Sequence, residues 1–431
     1  MKKEFFEIMD AQAVKGVALG FYHLNIEDEE LDGRHITING KKSKFFTNCS
    51  YLGLETNPEM KKASIEAIEK FGTQFSSSRI TVSQPLYHQA EDLLSEIFGK
   101  PTYLAPTTSL GHIAMIPLIM NENDAIIMDL QVHTSVKNAV QISKAEGVHT
   151  EILKHNRMDQ LETRIQILRQ NHERVWYLCD SIYSMFGDAA PFKEIAELLN
   201  RYEQFNVYID DAHGMSWSGK NGRGYVLSKI PYHPRMVVVT SLAKGFGSCG
   251  GALVCYDESL RNKIRNYSTT NLFSGPLQPA ILGANIASAK IHLSDEIENL
   301  QDSLFERMFF FNQTARKYGV PVVNSEMTPI YYVPVGKMEV NYKLARFLQD
   351  EGFYCMTTFF PAVPRRNSGL RITVTNHNTL QDIDAILERI GYALPKFLAE
   401  ENTSMEEVYE VFGMSMPGKE TAAPLERRKI A

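Results

Sequence analysis

Apolar residues in this chain fall into short unbroken runs, separated by polar loops and by stretches with helical spacing. Met236 to Ser241 reads Met-Val-Val-Val-Thr-Ser, and Val207 to Asp211 reads Val-Tyr-Ile-Asp-Asp. Runs without alternation, rich in β-branched residues, predict strands buried on both faces. Ile126–Met128 and Val175–Cys179 predict two more. Pro58 to Phe71 and Ile195 to Tyr202 carry the spaced apolar residues of amphipathic helices. Strand, loop and helix alternate from about residue 100 to 260, which predicts a mostly parallel sheet flanked by helices. Sheets of this kind bind ligands beyond the carboxyl ends of their strands, so the residues just after each run are where chemistry is expected. A long helix is expected from about 277 to 317. After it, Ile330–Val335, the "FYCMTTFFPAVP" stretch and "GLRITVTN" read as strands of a smaller α+β domain. The expected division is an N-terminal arm over 1–45 with a turn at Asn39-Gly40, a large domain over 46–290, a small domain over 291–400, and a tail over 401–431. The first half of that tail is a candidate helix and its end is expected to be disordered.

Two strand ends carry unusual chemistry. After Ser241 comes a turn of small residues with one lysine, Lys244, followed by Gly245, Gly247, Gly250 and Gly251. A lysine at the mouth of a buried strand can shed its proton, attack a carbonyl and form a Schiff base. A surface lysine in a Gly-rich hairpin is the plainer alternative. The other strand ends in Asp210-Asp211-Ala212-His213. A carboxylate there is costly unless a cation or a strong donor meets it. In pyridoxal-phosphate enzymes the donor is the protonated pyridine nitrogen. In "YLAPTTSLGHIAM", Thr108 and Ser109 fall where a helix would begin. They read either as an ordinary cap or as a phosphate site at a helix N-terminus.

"YIDDAHGMSWSGKNGRGY" and "TSLAKGFGSCGG", about thirty residues apart, together resemble the α-oxoamine synthase family, within the fold-type I pyridoxal-phosphate enzymes of the aminotransferase class I/II superfamily. "FTNCSYLGL", "VHTS", "NLFSGP" and "FFPAVPRRNSGLRITVTN" are similar to further segments of that family, and the resemblance extends over roughly residues 46 to 395. It implies a large domain built on a seven-stranded-type sheet and a homodimer with shared sites. It also implies that Lys244 carries pyridoxal 5'-phosphate as a Schiff base and later takes the Cα proton, with Asp210 pairing the ring nitrogen. His133 would stack on the ring and move protons, and His213 and Ser184 would approach its phenolic oxygen. Thr108, Ser109 and Leu110 would receive the phosphate, and Ser241 is a further cofactor contact. Ser274 would reach the neighbouring subunit's phosphate. Arg371, with Asn48 and Cys49, would hold the substrate carboxylate, a group that a guanidinium fork matches bidentately. The activity implied is the decarboxylative condensation of an α-amino acid with an acyl-CoA or acyl-carrier thioester, giving an α-amino ketone.

The chain departs from the family pattern around the amino acid. Cys49 stands where the family has Asn, and Gly369 where it usually has another arginine, with Arg365 and Arg366 close by. Two added guanidiniums would favour an amino acid with a second negative charge; solvated loop charges are the alternative. Arg79 and His88 read as structural. An aminotransferase would need the same Lys244, Asp210 and Arg371, and a non-catalytic binding protein of the same fold would tolerate their loss.

Composition narrows the rest. A net charge of −6 gives no reason to expect nucleic acid or an anionic membrane as partner. No apolar stretch approaches the roughly 18 residues of a membrane span, and the acids within the first ten residues do not suit a signal peptide. Five scattered cysteines lack metal-ligand spacing, so no metal is expected, and buried thiols in the cytoplasm are the expected state.

Overall fold

The computed structural model of the chain describes residues 2–324, 326–360 and 362–416. The chain divides into two units, one formed by 49–184 and 188–303, the other by the residues up to Asn48, by 185–187 and by the chain from Leu304 onward.

The first unit is built on a seven-stranded sheet. Its strands are β1 (Thr102–Ala105), β2 (Ala125–Asp129), β3 (His149–Leu153), β4 (Val175–Asp180), β5 (Phe205–Asp210), β6 (Met236–Ser241) and β7 (Gly251–Val254). They lie in the order β1-β7-β6-β5-β4-β2-β3. All pair in parallel except β7, which is antiparallel to both neighbours. Every residue of the other six strands is buried, whereas β3, at the edge, alternates half-buried and exposed positions. That edge carries His149 and Glu151, and the Glu151–Arg164 pair lies on it, which discourages pairing with another sheet. On one face Ile126, Trp176, Leu178, Tyr208 and Val239 pack with Met115, Ile116, Val136 and Val140, which belong to the helices Thr108–Ile119 and Thr134–Ala145. The fold is thus the expected α/β sheet flanked by helices.

The helix Pro58–Phe71 begins where the sequence places it. Asn57 caps it by accepting the N–H groups of Glu59 and Met60, and Pro58 occupies the first turn, where its missing N–H costs nothing. The long helix expected over 277–317 is two helices, Pro279–His292 and Glu296–Lys317. The break falls at Leu293-Ser294-Asp295. Ser294 Oγ accepts the Glu296 N–H at 3.3 Å, and the acids Glu296 and Glu298 favour a fresh N-terminus there.

The second unit holds two three-stranded sheets. Ile330–Gly336, Ser368–Thr373 and Met356–Thr358 form one, antiparallel throughout, with Ser368–Thr373 in the centre. The other joins the hairpin His35–Ile38/Lys41–Phe45 to Phe353–Tyr354. The hairpin turns at Asn39-Gly40, both with positive φ (51° and 71°), the conformation that this residue pair favours. The strand Lys41–Phe45 of the N-terminal segment is part of this unit's sheet. The helix Leu380–Glu400 opens with a capping box of Thr379 and Asp382, and Arg34 pairs with Asp382 at 2.8 Å. A last helix covers Met405–Val411 and buries Val408 and Tyr409; the end of the tail, from 417, lies outside the described residues.

Candidate active site

Four neighbouring strands, β2, β4, β5 and β6, end at Asp129, Asp180, Asp210 and Ser241. Beyond them lies a cavity of about 260 Å³, which gathers Thr108, Ser109, His133, Asp210, His213, Ser241 and Lys244 from four separate stretches of sequence. The β-pleat and the parallel register bring them together: Asp180 and Asp210 are direct partners across β4 and β5.

Lys244 sits half-buried in the turn after β6. The turn closes through Gly247 N–H to Lys244 O at 2.8 Å and Leu242 N–H to Gly250 O at 3.0 Å. Gly247 has φ +75°, and a Cβ there would stand 2.5 Å from Leu54 Cβ, so only glycine fits. Lys244 Nζ lies 2.9 Å from His213 Nε2, and His213 Nδ1 lies 2.7 Å from the Tyr51 hydroxyl.

Asp210 is 5% exposed. Its Oδ2 is 2.9 Å from His112 Nε2, its Oδ1 accepts the Ala212 N–H at 3.0 Å, and His112 Nδ1 is 2.7 Å from the Tyr208 hydroxyl. Burial opposes the charge on Asp210, but His112, and then Lys244, outweigh it and hold the carboxyl below its ordinary range. Neighbouring Asp180 goes the other way. Burial, followed by the charge of Asp210, raises it well above the usual carboxylate range. Two adjacent carboxyls thus have opposite states, and the ionised one is Asp210. Asp211 is pushed up to about 8 by burial, although the Ser181 hydroxyl and the Val226 N–H bond to it.

His133 caps the helix Thr134–Ala145. Its Nδ1 accepts the Ser135 N–H at 3.3 Å and lies 2.6 Å from Ser135 Oγ, which leaves the ring proton on Nε2. Its own backbone N–H donates to Asp180 at 3.0 Å. Burial lowers its pKa, so the ring is neutral at physiological pH.

At the other end, Thr107 Oγ1 accepts the Leu110 N–H at 3.1 Å and caps the helix Thr108–Ile119. The first N–H groups of a helix lack intrahelical partners and sit at the positive end of its dipole. Gly251, the first residue of β7, passes so close that a Cβ would lie 2.7 Å from Thr108 Cα. The cavity therefore offers an anion site, an amine and an ionised carboxylate. Pyridoxal phosphate presents the complementary set: a phosphate, an aldehyde and a basic ring nitrogen. The residues present fit this cofactor.

Other expected residues lie elsewhere. Leu110, Ser184 and Ser274 are not part of the cavity's described wall. The Leu110 N–H is taken by Thr107, Ser184 is half-buried two residues past Ile182, and the Ser274 hydroxyl donates to Thr270 O. Arg371 belongs to the second unit, where it is buried on the central strand opposite Tyr332 and Met356. Asn48 closes the N-terminal segment of that unit, and Cys49 opens the first unit. Arg365 and Arg366 are exposed and line a different cavity, of about 510 Å³, with Ile8 and Val408 in the second unit; Arg371 is not in its described wall. Arg79 is structural, as read. It donates to Leu104 O at 2.8 Å and Glu91 at 2.7 Å, with its guanidinium 3.8 and 4.5 Å from the Tyr87 and Tyr103 ring centres. Sequence reading missed His112, Tyr51, Thr107 and Cys249. A signal existed only for His112, a polar residue in the apolar stretch that follows Thr108-Ser109.

Residues 47–390 match the aminotransferase class I and II family. The 8-amino-7-oxononanoate synthase of Fervidobacterium nodosum is 31% identical over 87% of this chain and 94% of its own length. That of Thermosipho melanesiensis is 30% identical over 84% and 90%. Among solved structures, serine palmitoyltransferase from Sphingomonas wittichii superposes with a TM-score of 0.84 at 21% identity, covering 92% of this chain and 98% of that one. The serine palmitoyltransferase of S. paucimobilis with a PLP–myriocin aldimine gives 0.83 at 21%, covering 91% and 98%. These last two likenesses are of fold. The chain belongs to the aminotransferase class I and II family, on its pyridoxal-phosphate-dependent α-oxoamine synthase branch.

Proposed function

We propose that this enzyme joins an α-amino acid to an acyl thioester, releases the amino acid's carboxylate as carbon dioxide, and yields an α-amino ketone. The observation that carries the reading is one cavity holding Lys244, an Asp210 kept ionised by His112, and the N-terminus of the helix Thr108–Ile119. Held on Lys244, pyridoxal phosphate supplies an electron sink for the bond broken at Cα. Asp210 keeps a proton on the ring nitrogen. Thr108 and Ser109 present N–H groups to the phosphate, with Ser241 beside them. His133, neutral and fixed by Ser135, supplies a flat face for stacking and an Nε2 proton. Lys244 Nζ removes the Cα proton, and His213 Nε2 stands 2.9 Å from it. Arg371 grips the substrate carboxylate, with Asn48 and Cys49 as further contacts. Ser184 approaches the phenolic oxygen.

Mixing the purified protein with amino acids and acyl-CoA or acyl-carrier thioesters should release thiol only when both substrates are present. An aminotransferase would instead turn over with a keto acid and release none. Borohydride reduction and peptide mapping should place the pyridoxyl group on Lys244, and Lys244→Ala should abolish turnover. A label on another lysine would reject the assignment.

The functional unit is proposed to be a homodimer in which Ser274 serves the neighbouring subunit's phosphate; the side chain before it, Phe273, is 85% exposed. Among the described residues no helix is long and apolar enough to cross a membrane. The buried thiols of Cys179, Cys255 and Cys355 suit the cytoplasm.

A further inference from the structure

Tyr51 has no part in the roles given above, yet it is among the most constrained residues of the molecule. It is fully buried, and its φ of 47° lies in the left-handed region, which a bulky residue seldom adopts. Such strain persists only where surrounding structure imposes it, and it gathers at functional sites. The turn that carries Tyr51 is seated on the lysine loop. Tyr51 Cδ2 would lie 3.5 Å from a Cβ at Gly245, next to Lys244, and Leu54 fills the space left by Gly247. From there the phenol reaches His213 Nδ1 at 2.7 Å, and the opposite edge of the same imidazole reaches Lys244 Nζ at 2.9 Å.

We infer that Tyr51 is a positioning residue that sets the protonation of Lys244 through His213. A phenol donates a hydrogen bond better than it accepts one, and an imidazole nitrogen lone pair is a good acceptor. With the Tyr51 proton directed at Nδ1, the proton of neutral His213 sits on Nε2 and faces Nζ. An N–H donor bonds a neutral amine and repels an ammonium, so this tautomer favours the form of Lys244 that attacks an aldehyde. Once Nζ carries a proton, the same Nε2–H offers it no acceptor, so the pair disfavours the ammonium. The ionised carboxyl of Asp210, the protonated carboxyl of Asp180 and the His133 ring are also within electrostatic reach of Lys244. Ionised Asp210 favours the ammonium, and the tyrosine–histidine pair opposes it.

The inference rests on Lys244 being the cofactor lysine, and its test can fail without that assignment failing. In the full chain freed of cofactor, the reactivity of Lys244 toward a trace amine-acylating reagent, read by peptide mass spectrometry against pH, reports its titration. Tyr51→Phe keeps the ring and the turn but removes the oxygen. It should move the Lys244 midpoint up by about 0.5–1 pH unit, the size of one hydrogen bond's effect. The same change made in a His213→Asn background should give no further shift. Fluorotyrosine at position 51, a stronger donor, should move the midpoint downward, which loss of packing would not do. An unmoved midpoint in Tyr51→Phe and in the fluorotyrosine protein, or an equal shift without His213, overturns the role of Tyr51. Borohydride mapping can still place the cofactor on Lys244 in that case.

Discussion

Asp210 keeps its charge in a place where water cannot reach it, and His112 is the main reason. Tyr208 is buried and its hydroxyl pKa is raised well above the ordinary value by burial and then by Asp210, so the phenol keeps its proton, 2.7 Å from His112 Nδ1. His112 must then present Nε2–H to Asp210, at 2.9 Å. His112→Phe preserves bulk but leaves one carboxylate oxygen without its donor. Loss of a hydrogen bond to a buried charge costs about 1.5–3 kcal/mol. Because that charge is what pairs the ring nitrogen, the cofactor dissociation constant should rise roughly 10- to 150-fold. A spectrophotometric titration of the cofactor-free variant measures this, and unchanged affinity would show that Asp210 needs no help from His112.

Secondary elements set how close these groups come. β7 delivers Gly251 against the first turn of the helix Thr108–Ile119, and a Cβ there would stand 2.7 Å from Thr108 Cα and 2.8 Å from its N. Both neighbours are backbone, so neither can swing aside. Gly251→Ala should displace the helix N-terminus and weaken the hold on phosphate more than the hold on the aldehyde. Competition between inorganic phosphate and the cofactor is the measurement, and Gly251→Ala should weaken it. At the ends of β2 and β3 a different clamp operates. His155 Nδ1 is 2.9 Å from Asp129 and Nε2 is 2.7 Å from Asp188. Burial by itself would lower the His155 pKa, but the two carboxylates more than offset it and bring it from 6.5 to about 9. A raised folded-state pKa stabilises fully below the unfolded value near 6.5, and the contribution is lost as pH rises through about 9. At most about 3 kcal/mol is available over that interval. The native protein should therefore lose unfolding midpoint between pH 6.5 and 9.5 relative to His155→Gln, as followed by urea titration. Parallel curves for the two proteins would mean that the clamp adds nothing.

At the scale of the whole molecule, the proposed homodimer would seat Phe273, 85% exposed in the segment that resembles the crossing loop of a shared-site dimer, against the second copy. Phe273→Glu places a charge where that contact would be dry. Light scattering should show the dimer weakened toward monomer, with cofactor retention falling in parallel as Ser274 is withdrawn. A variant that stays dimeric and loaded would put the interface elsewhere.

Much of the sheet, and the core of the site, could be read from the chain because both rest on local signals. Unbroken β-branched runs end in a carboxylate at Asp210 and before a lysine at Lys244, and a parallel sheet aligns such ends whatever the intervening loops do. What the sequence could not contain is the pairing of residues far apart in it. His112 finds Asp210 98 positions away and Tyr51 finds His213 162 positions away. Each is an ordinary residue in its own segment and acquires a role only through its partner. The break at Leu293–Asp295 and the joining of Lys41–Phe45 to Phe353–Tyr354 were likewise decided by packing. Apolar spacing alone continues through such a break, and a short polar strand such as Lys41–Phe45 forms only when another strand is there to receive its hydrogen bonds.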